Sequence, residues 1–522
     1  MKNRFLYISI IFLSSLLFTS LTAQEEETED SSSGSRLPFK ISEKKRISTD
    51  ELKKKTEGWF PTGIGGPFSD PNNGAGFGGR VFLFNNGKKE DPFFAYTPYR
   101  QRFFLNLSNT TKNAQYHWLD FDAPFFLDTQ WRVRANAIYD RNPNNLYFGI
   151  GEKTLQGLNY QDRNQFGQPY VTEGRFNPYE EANSYRRNPV SPNEIMYTDN
   201  KYANSYLTNT YPFLQNQKLT DKKYNRYELE IIQSNISGER SFFDGLVRLV
   251  FGTRVSKNTV KTYDGSIHNA KDPYWGNTDL SFANIDVPTV NAKTKLTEDA
   301  EAGRITGLNG GYVNLLRVGM VYDTRDYEPD PSRGIFAEVT HERSMRSIGS
   351  DYTFNRTFGS LRVFQQLFPS LMPRKKLIFA GRVAMVNTTG NAPYFEYRNM
   401  WGTEVGMSGL GGRTTLRGFM QDRFVGPVMG FGNVELRWRF LEIPGFTFNI
   451  APLLDFGRPW DKLGNVNLKD YKYSYGLGLR IIWNQSTVIY LEWARSRESD
   501  ITTYSKGPFA GSLFYLNFGH IF

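Results

Sequence analysis

The stretch YSYGLGLRIIW, Tyr473 to Trp483, alternates without a break. Tyr473, Tyr475, Leu477, Leu479, Ile481 and Trp483 take one face, and Ser474, Gly476, Gly478 and Arg480 take the other. A period of two belongs to a β-strand, and here it separates bulky apolar residues from small or charged ones, so the strand stands between two different solvents. GNVELRWRF repeats the pattern, with Val434, Leu436, Trp438 and Phe440 opposite Asn433, Glu435, Arg437 and Arg439. Beyond the N terminus no run approaches the roughly 20 apolar residues of a membrane helix. Yet Phe, Tyr and Trp make up 16% of the 522 residues, alongside 47 Gly. An all-β fold, a transmembrane antiparallel β-barrel, reconciles these facts, because only alternate residues meet lipid while the rest line a polar interior. The mean hydropathy of −0.53 averages both faces.

The N terminus places the chain in a compartment. Met1-Lys2-Asn3-Arg4 is basic, Phe5 to Phe18 is mostly apolar, and SLTAQ offers a cleavage site after Ala23, so residues 1–23 read as a secretory signal peptide. Residues 24–57 are polar and charged and read as a flexible periplasmic tail with one short helix near Thr49 to Lys55. No cysteine is present, so disulfides and cysteine-linked lipid anchors are excluded. The formal charge of +10 is scattered, which argues against a nucleic-acid partner.

Residues 58–522 are expected to form the barrel, of about 16 strands, an even number as bacterial barrels have. GFGGRVFLF reads as the first strand and SLFYLNFGHIF as the last. With both termini periplasmic, connections after odd strands face outward. The long ones, Thr154 to Lys223, Asp264 to Gly310, Gly390 to Val425, Arg458 to Lys472 and Arg495 to Gly511, follow strands five, seven, eleven, thirteen and fifteen. Short segments such as DRNPNN, EPDPSR, EIPG and NQS follow even strands. LYFGIG reads as strand five.

Several stretches together resemble the BamA/TamA superfamily of outer-membrane assembly and translocation barrels, the bacterial surface antigens. LRGF, comprising Leu416, Arg417, Gly418 and Phe419, is similar to that family's loop motif. DTRDYEPDPSRG, with Asp323, Arg325, Asp326, Arg333 and Gly334, resembles a family turn; GNVELRW, PLLDFGRPW and LNFGHIF resemble later strands. The resemblance implies integral placement in the outer membrane and a long outer loop folded into the lumen. It also implies partners: outer-membrane lipid, the outer-membrane assembly machinery, and periplasmic or surface proteins. The family's assembly members carry periplasmic POTRA domains; the residues ahead of GWFPTGIGG are too few to pack one, so a barrel-only member is expected.

The residues themselves assign Arg417 a partner. Glu435 and Asp455 fall on inward faces of the two strands that follow the loop. A guanidinium offers a planar fork of donors able to bridge two carboxylates. A phosphate cradle at GGRTTLRG is rejected, since the segment matches neither phosphate-binding fingerprint. His117, His268, His341 and His520 lie too far apart for metal-ligand spacing, so no metal, cofactor or enzymatic role is expected. The leading functional expectation is a factor that assists insertion or translocation of outer-membrane or surface proteins. Its seam would run between a glycine-weakened first strand (Gly76, Gly78 and Gly79) and a last strand bearing Phe518 and Phe522. The alternatives are an accessory or structural barrel binding surface proteins through its long loops, and a diffusion pore.

Overall fold

The computed structural model describes residues 37–47, 49–70, 73–155, 159–163, 169–172, 196–198, 225–264, 293–372, 375–404, 406–483, 487–496 and 512–518. The expected signal peptide, the tail before residue 37, and Phe522 lie outside the described residues.

A sixteen-stranded antiparallel sheet dominates, and each strand pairs with the next in sequence. Its first half is β1 (Trp59–Asp70), β2 (Gly74–Asn85), β3 (Gln101–Thr110), β4 (Gln115–Ala123), β5 (Trp131–Leu146), β6 (Arg226–Phe242), β7 (Val247–Thr262) and β8 (Gly311–Asp323). The second half is β9 (Gly334–Ser344), β10 (Thr353–Leu367), β11 (Leu377–Asn391), β12 (Val428–Ile443), β13 (Phe446–Trp460), β14 (Lys472–Trp483), β15 (Thr487–Ser496) and β16 (Ser512–Phe518). The sheet curls into a barrel. Thr62 on β1 lies 2.6 Å, oxygen to oxygen, from Thr487 on β15, and Tyr490 of β15 packs on Phe364 of β10 and Ala380 of β11.

Two readings of the sequence shift. The first strand is Trp59–Asp70, one hairpin earlier than the glycine-rich stretch. Gly76, Gly78 and Gly79 therefore sit in β2, paired on one side with Phe68, Gly66 and Gly65 and on the other with Thr110, Ser108 and Leu107. They are not at the seam. In the other direction, β5 runs straight through DRNPNN to Leu146, with a register shift between Asn142 and Asn145 around Pro143. A proline is tolerated where a bulge has already broken the ladder. LYFGIG is then no separate strand. The gain and the loss cancel, leaving sixteen, but connections 86–100 and 124–130 move to the inner end.

Leu37–Lys55, expected to be flexible, instead packs across the inner end of the barrel. It carries a single 3-10 turn, Glu43–Lys45, and a short α-helix, Thr49–Lys54. Ser42 N–H donates to Asp244 O at 2.8 Å and Ile47 N–H to Ala95 O at 2.8 Å, while the Ile41 and Ile47 side chains are buried. Lys55 Nζ donates to Phe94 O and Thr97 O, both at 2.6 Å. Burial lowers this lysine to about 7. Burial also lowers Lys45, to about 8, against the pull of Asp323, its partner at 2.8 Å.

Charge, rather than an apolar core, fills much of the lumen. Arg356, Arg362, Arg382, Arg417, Arg423, Arg437 and Arg480 are among its largest fully buried side chains. Burying so many cations demands paired acids, and these come from the strands and from the inserted connection between β11 and β12.

Candidate functional site: an arginine-pinned loop in the lumen

The β11–β12 connection enters the barrel and touches its wall at three levels. At the first, Glu396 accepts from Arg254 of β7 and Arg356 of β10, the latter at 3.0 Å. At the second, Thr403 donates through N–H and hydroxyl to Glu338 of β9 at 2.7 and 2.8 Å. Glu404 there pairs with Arg325 and, at 3.1 Å, with Arg362.

The third level is the tip. Leu410 and Phe424 exchange backbone hydrogen bonds of 2.9 Å, closing the neck of the loop. Gly411 has φ +114° and a Cβ there would stand 2.0 Å from Met420 O, so only glycine makes this turn. Thr415 Oγ1 donates to the Gly409 and Gly411 carbonyls. Leu416 and Phe419 are fully buried among Phe358, Met400, Met407, Leu410, Phe424, Met429 and Phe431. This apolar cluster anchors the tip and aims Arg417 at the acids of β12, β13 and β15.

Arg417 uses its whole fork. Nε and Nη2 bind Asp455 of β13 at 2.8 and 2.7 Å, and its backbone N–H reaches the same carboxylate at 3.0 Å. Nη1 binds Glu435 of β12 at 2.8 Å and Glu492 of β15 at 2.9 Å. All four side chains have 0% exposure, so water offers no substitute partner. Arg480 of β14 joins Glu435 and Glu492, and Arg437 binds Glu435 at 2.9 Å. Arg417, Arg437 and Arg480 thus face three acids in a dry cluster. Asn433 completes it, donating to Asp455 at 2.7 Å and to Thr415 O at 2.7 Å, while accepting from Arg382.

Gly418 follows with φ +88°, and a Cβ on it would lie 2.8–3.0 Å from the backbone of Arg495 and Ser496. Its N–H donates to Tyr515 Oη of β16 at 2.9 Å. The loop tip is therefore bound to β12, β13, β15 and β16 together. Glu492, Arg437 and Arg480 were not assigned from sequence. Glu492 is the sole acid in the inward row Tyr490, Glu492, Ala494, and continuing the face assignment one strand further would have found it.

The Asp323–Gly334 segment forms a turn under the inner end. Gly334 has φ +112°, with Thr324 O only 2.5 Å from where a Cβ would stand. Asp326 braces the turn, accepting from the N–H groups of Tyr327, Ser332 and Arg333 at 3.0, 2.9 and 3.3 Å. Arg325 folds inward onto Asp323 at 3.0 Å. Arg333 stays largely exposed, 4.0 Å from Asp326. Asp330 of the turn pairs with Arg439 of β12, two residues from Arg437 of the Arg417 cluster. Phe518 ends β16, opposite Ile489.

Residues 99–494 match the Omp85 superfamily domain, which is more than half of the chain. The chain belongs to the Omp85 superfamily. It is an integral outer-membrane β-barrel. Residues 37–100, which hold the inner segment and the first hairpin, match a domain of unknown function, DUF5982. Similar solved structures include BamA from Haemophilus ducreyi lacking POTRA domains 1-3, at 12% identity and TM-score 0.42, with 88% of this chain and 69% of that one covered. CdiB from Escherichia coli is similar at 9% identity and TM-score 0.45, covering 88% of this chain and 62% of that one, so the chain spans less than two thirds of it. CdiB from Acinetobacter baumannii is similar at 10% identity and TM-score 0.38, with 88% and 68% covered. Among curated proteins none matches the chain.

Proposed function

We propose that this Omp85 barrel assists the insertion or translocation of outer-membrane or surface proteins through a lateral seam between β1 and β16. Periplasmic partners would deliver the clients. The observation that carries this reading is the unequal lacing of β1. All twelve of its residues pair with β2. Its other edge has no backbone ladder among the described residues and meets β15 through the Thr62–Thr487 side-chain contact. Among the described residues, β16 pairs with Ile489 to Arg495. Pro61, Gly63, Gly65, Gly66 and Pro67 weaken β1 further. An under-paired edge is a template on which a client strand can add. Because Gly418 holds Tyr515, the pinned loop braces one side of that seam from within.

The test uses a disulfide, in a chain that has no native cysteine. Thr62→Cys with Thr487→Cys, in cells whose only copy carries the pair, should lock the seam and lower the levels of other outer-membrane proteins. Reductant should restore them. A fully formed cross-link with unchanged levels overturns the proposal. A second reading is an accessory barrel that binds surface proteins; the three-stranded sheet of Asn159–Arg163, Pro169–Thr172 and Met196–Thr198 in the β5–β6 connection favours it. Stable co-purification of a surface protein, with no assembly defect, would select that reading.

A further inference from the structure

Left-handed backbone at non-glycine residues divides sharply between the two ends of the barrel. At the odd connections, among the described residues, the positions with positive φ are Asn113, Asp422 and Asp470. These are types whose short polar side chains tolerate that conformation. At the even connections the positions are Phe125, Leu127, Asp128, Phe243, Asp244 and Phe368. A bulky apolar residue with positive φ is strained, and tight hairpin turns ordinarily place Asn, Asp or Gly there. Phe125 has a packing reason, since its ring lies 5.4 Å from that of Phe39 and 5.1 Å from that of Phe93. Leu127, Phe243 and Phe368 have none among the described residues, being 73%, 77% and 57% exposed.

These three tips lie on separate hairpins, β4–β5, β6–β7 and β10–β11, all at the inner end. Each continues a surface that already faces lipid. Aromatic residues ring that end of the wall: Trp59 against Phe103 at 6.3 Å, Phe103 against Phe121 at 4.9 Å, and Phe446 against Trp483 at 6.0 Å. Phe126, next to Leu127, meets Phe121 of that ring at 6.5 Å. Phe242, next to Phe243, points outward with the Arg240 guanidinium 5.4 Å from its ring. Beyond Phe368 the third hairpin adds exposed Leu371 and Met372, followed by exposed Lys375. An apolar tip with a cation behind it suits the boundary between acyl chains and anionic headgroups.

We infer that Leu127, Phe243 and Phe368 are lipid anchors, apolar tips that reach past the aromatic ring and sit in the phospholipid interface at the barrel's inner end. The strain at each tip is then offset by lipid contact, which the polar tips at the outer end do not make.

Single cysteines test this, because none is native. Leu127→Cys, Phe243→Cys and Phe368→Cys, with Asn113→Cys and Asp470→Cys as outer-end controls, are labelled with an environment-sensitive dye. The full chain is placed in phosphatidylethanolamine–phosphatidylglycerol vesicles, and folding is checked by heat-dependent gel mobility. The inner-end dyes should be quenched several-fold more by doxyl-labelled lipid than by aqueous iodide, and the controls the reverse. Inner-end dyes as open to iodide as the controls would overturn the inference. So would dyes shielded from both quenchers, which would mean that protein covers the tips. Phe243→Asn gives a second reading, since Asn suits the backbone there. It should lower the barrel's heat resistance in vesicles although it relieves strain, and a rise in heat resistance would contradict the inference.

Discussion

Arg417→Ala is the substitution whose consequence the geometry specifies most fully. It deletes four side-chain hydrogen bonds to three carboxylates that water does not reach. The three acids are left unequally. Glu435 retains Arg480 and Arg437, and Glu492 retains Arg480 at 3.3 Å. Among the described residues Asp455 retains two hydrogen-bond donors, Asn433 Nδ2 and the backbone N–H of residue 417. Stranding one buried charge in this way costs about 3–5 kcal/mol, a factor of roughly 100 to 4,000 in an equilibrium constant at about 1.4 kcal/mol per tenfold. Arg417→Lys should recover part of the loss, since an ammonium keeps the charge but has no planar fork. The sharper readout is a double-mutant cycle with Asp455→Asn, which removes the stranded charge. Folded fraction in phospholipid vesicles, followed by heat-dependent gel mobility across a urea series, supplies the free energies. Arg417→Ala with Asp455→Asn should be more stable than Arg417→Ala alone, with a coupling of about 2 kcal/mol or more, within the range for residues in one buried network. Strictly additive losses, or an Arg417→Ala cost below about 1 kcal/mol, the level of an exposed ion pair, would refute the reasoning.

Other consequences can be read in the same assays. Gly418→Ala combines a left-handed backbone with a Cβ 2.8 Å from Arg495 C, so it should undock the tip and cost about 2 kcal/mol or more, whereas Gly464→Ala, which meets nothing within 4 Å, should be near neutral. Asp326→Ala strips the β8–β9 turn of a carboxylate that accepts from three backbone N–H groups; hydrogen exchange at residues 327–333 should rise while the Arg417 cluster stays protected. Lys55 titrates near 7 when docked and near about 10.4 when released. Between those values the released segment binds a proton that the docked one has shed, so docking should strengthen as pH rises from about 7 to about 10. A spin label at Lys44→Cys should lose mobility over that window, and Lys55→Met should flatten the profile.

Much of the wall was legible because alternation is a local property. The inward placement of Glu435 and Asp455 needed only the period of two, and their nearness to Arg417 followed from two strands coming directly after the loop. β1 was missed because Pro61, Pro67 and three glycines interrupt its pattern, and an edge strand tolerates such residues where a central one does not. β5 was cut short because Asn-Pro-Asn-Asn reads as a turn, although the register shift at Asn142–Asn145 absorbs it within the strand. The roles of Glu396 and Glu404 were out of reach. They sit in a loop without periodicity, and their partners come from three different elements: Arg254 from β7, Arg325 from the β8–β9 turn, and Arg356 and Arg362 from β10. The docking of Leu37–Lys55 was hidden by its charge, since a lysine bound to two carbonyls looks, in sequence, like any solvated lysine.

The most direct measurement is an experimental structure of the barrel in a lipid bilayer, read at Arg417. The account predicts the guanidinium within about 3 Å of Asp455, Glu435 and Glu492, with Gly418 against the end of β15. A guanidinium in bulk water, with those three carboxylates paired to other cations, would contradict it.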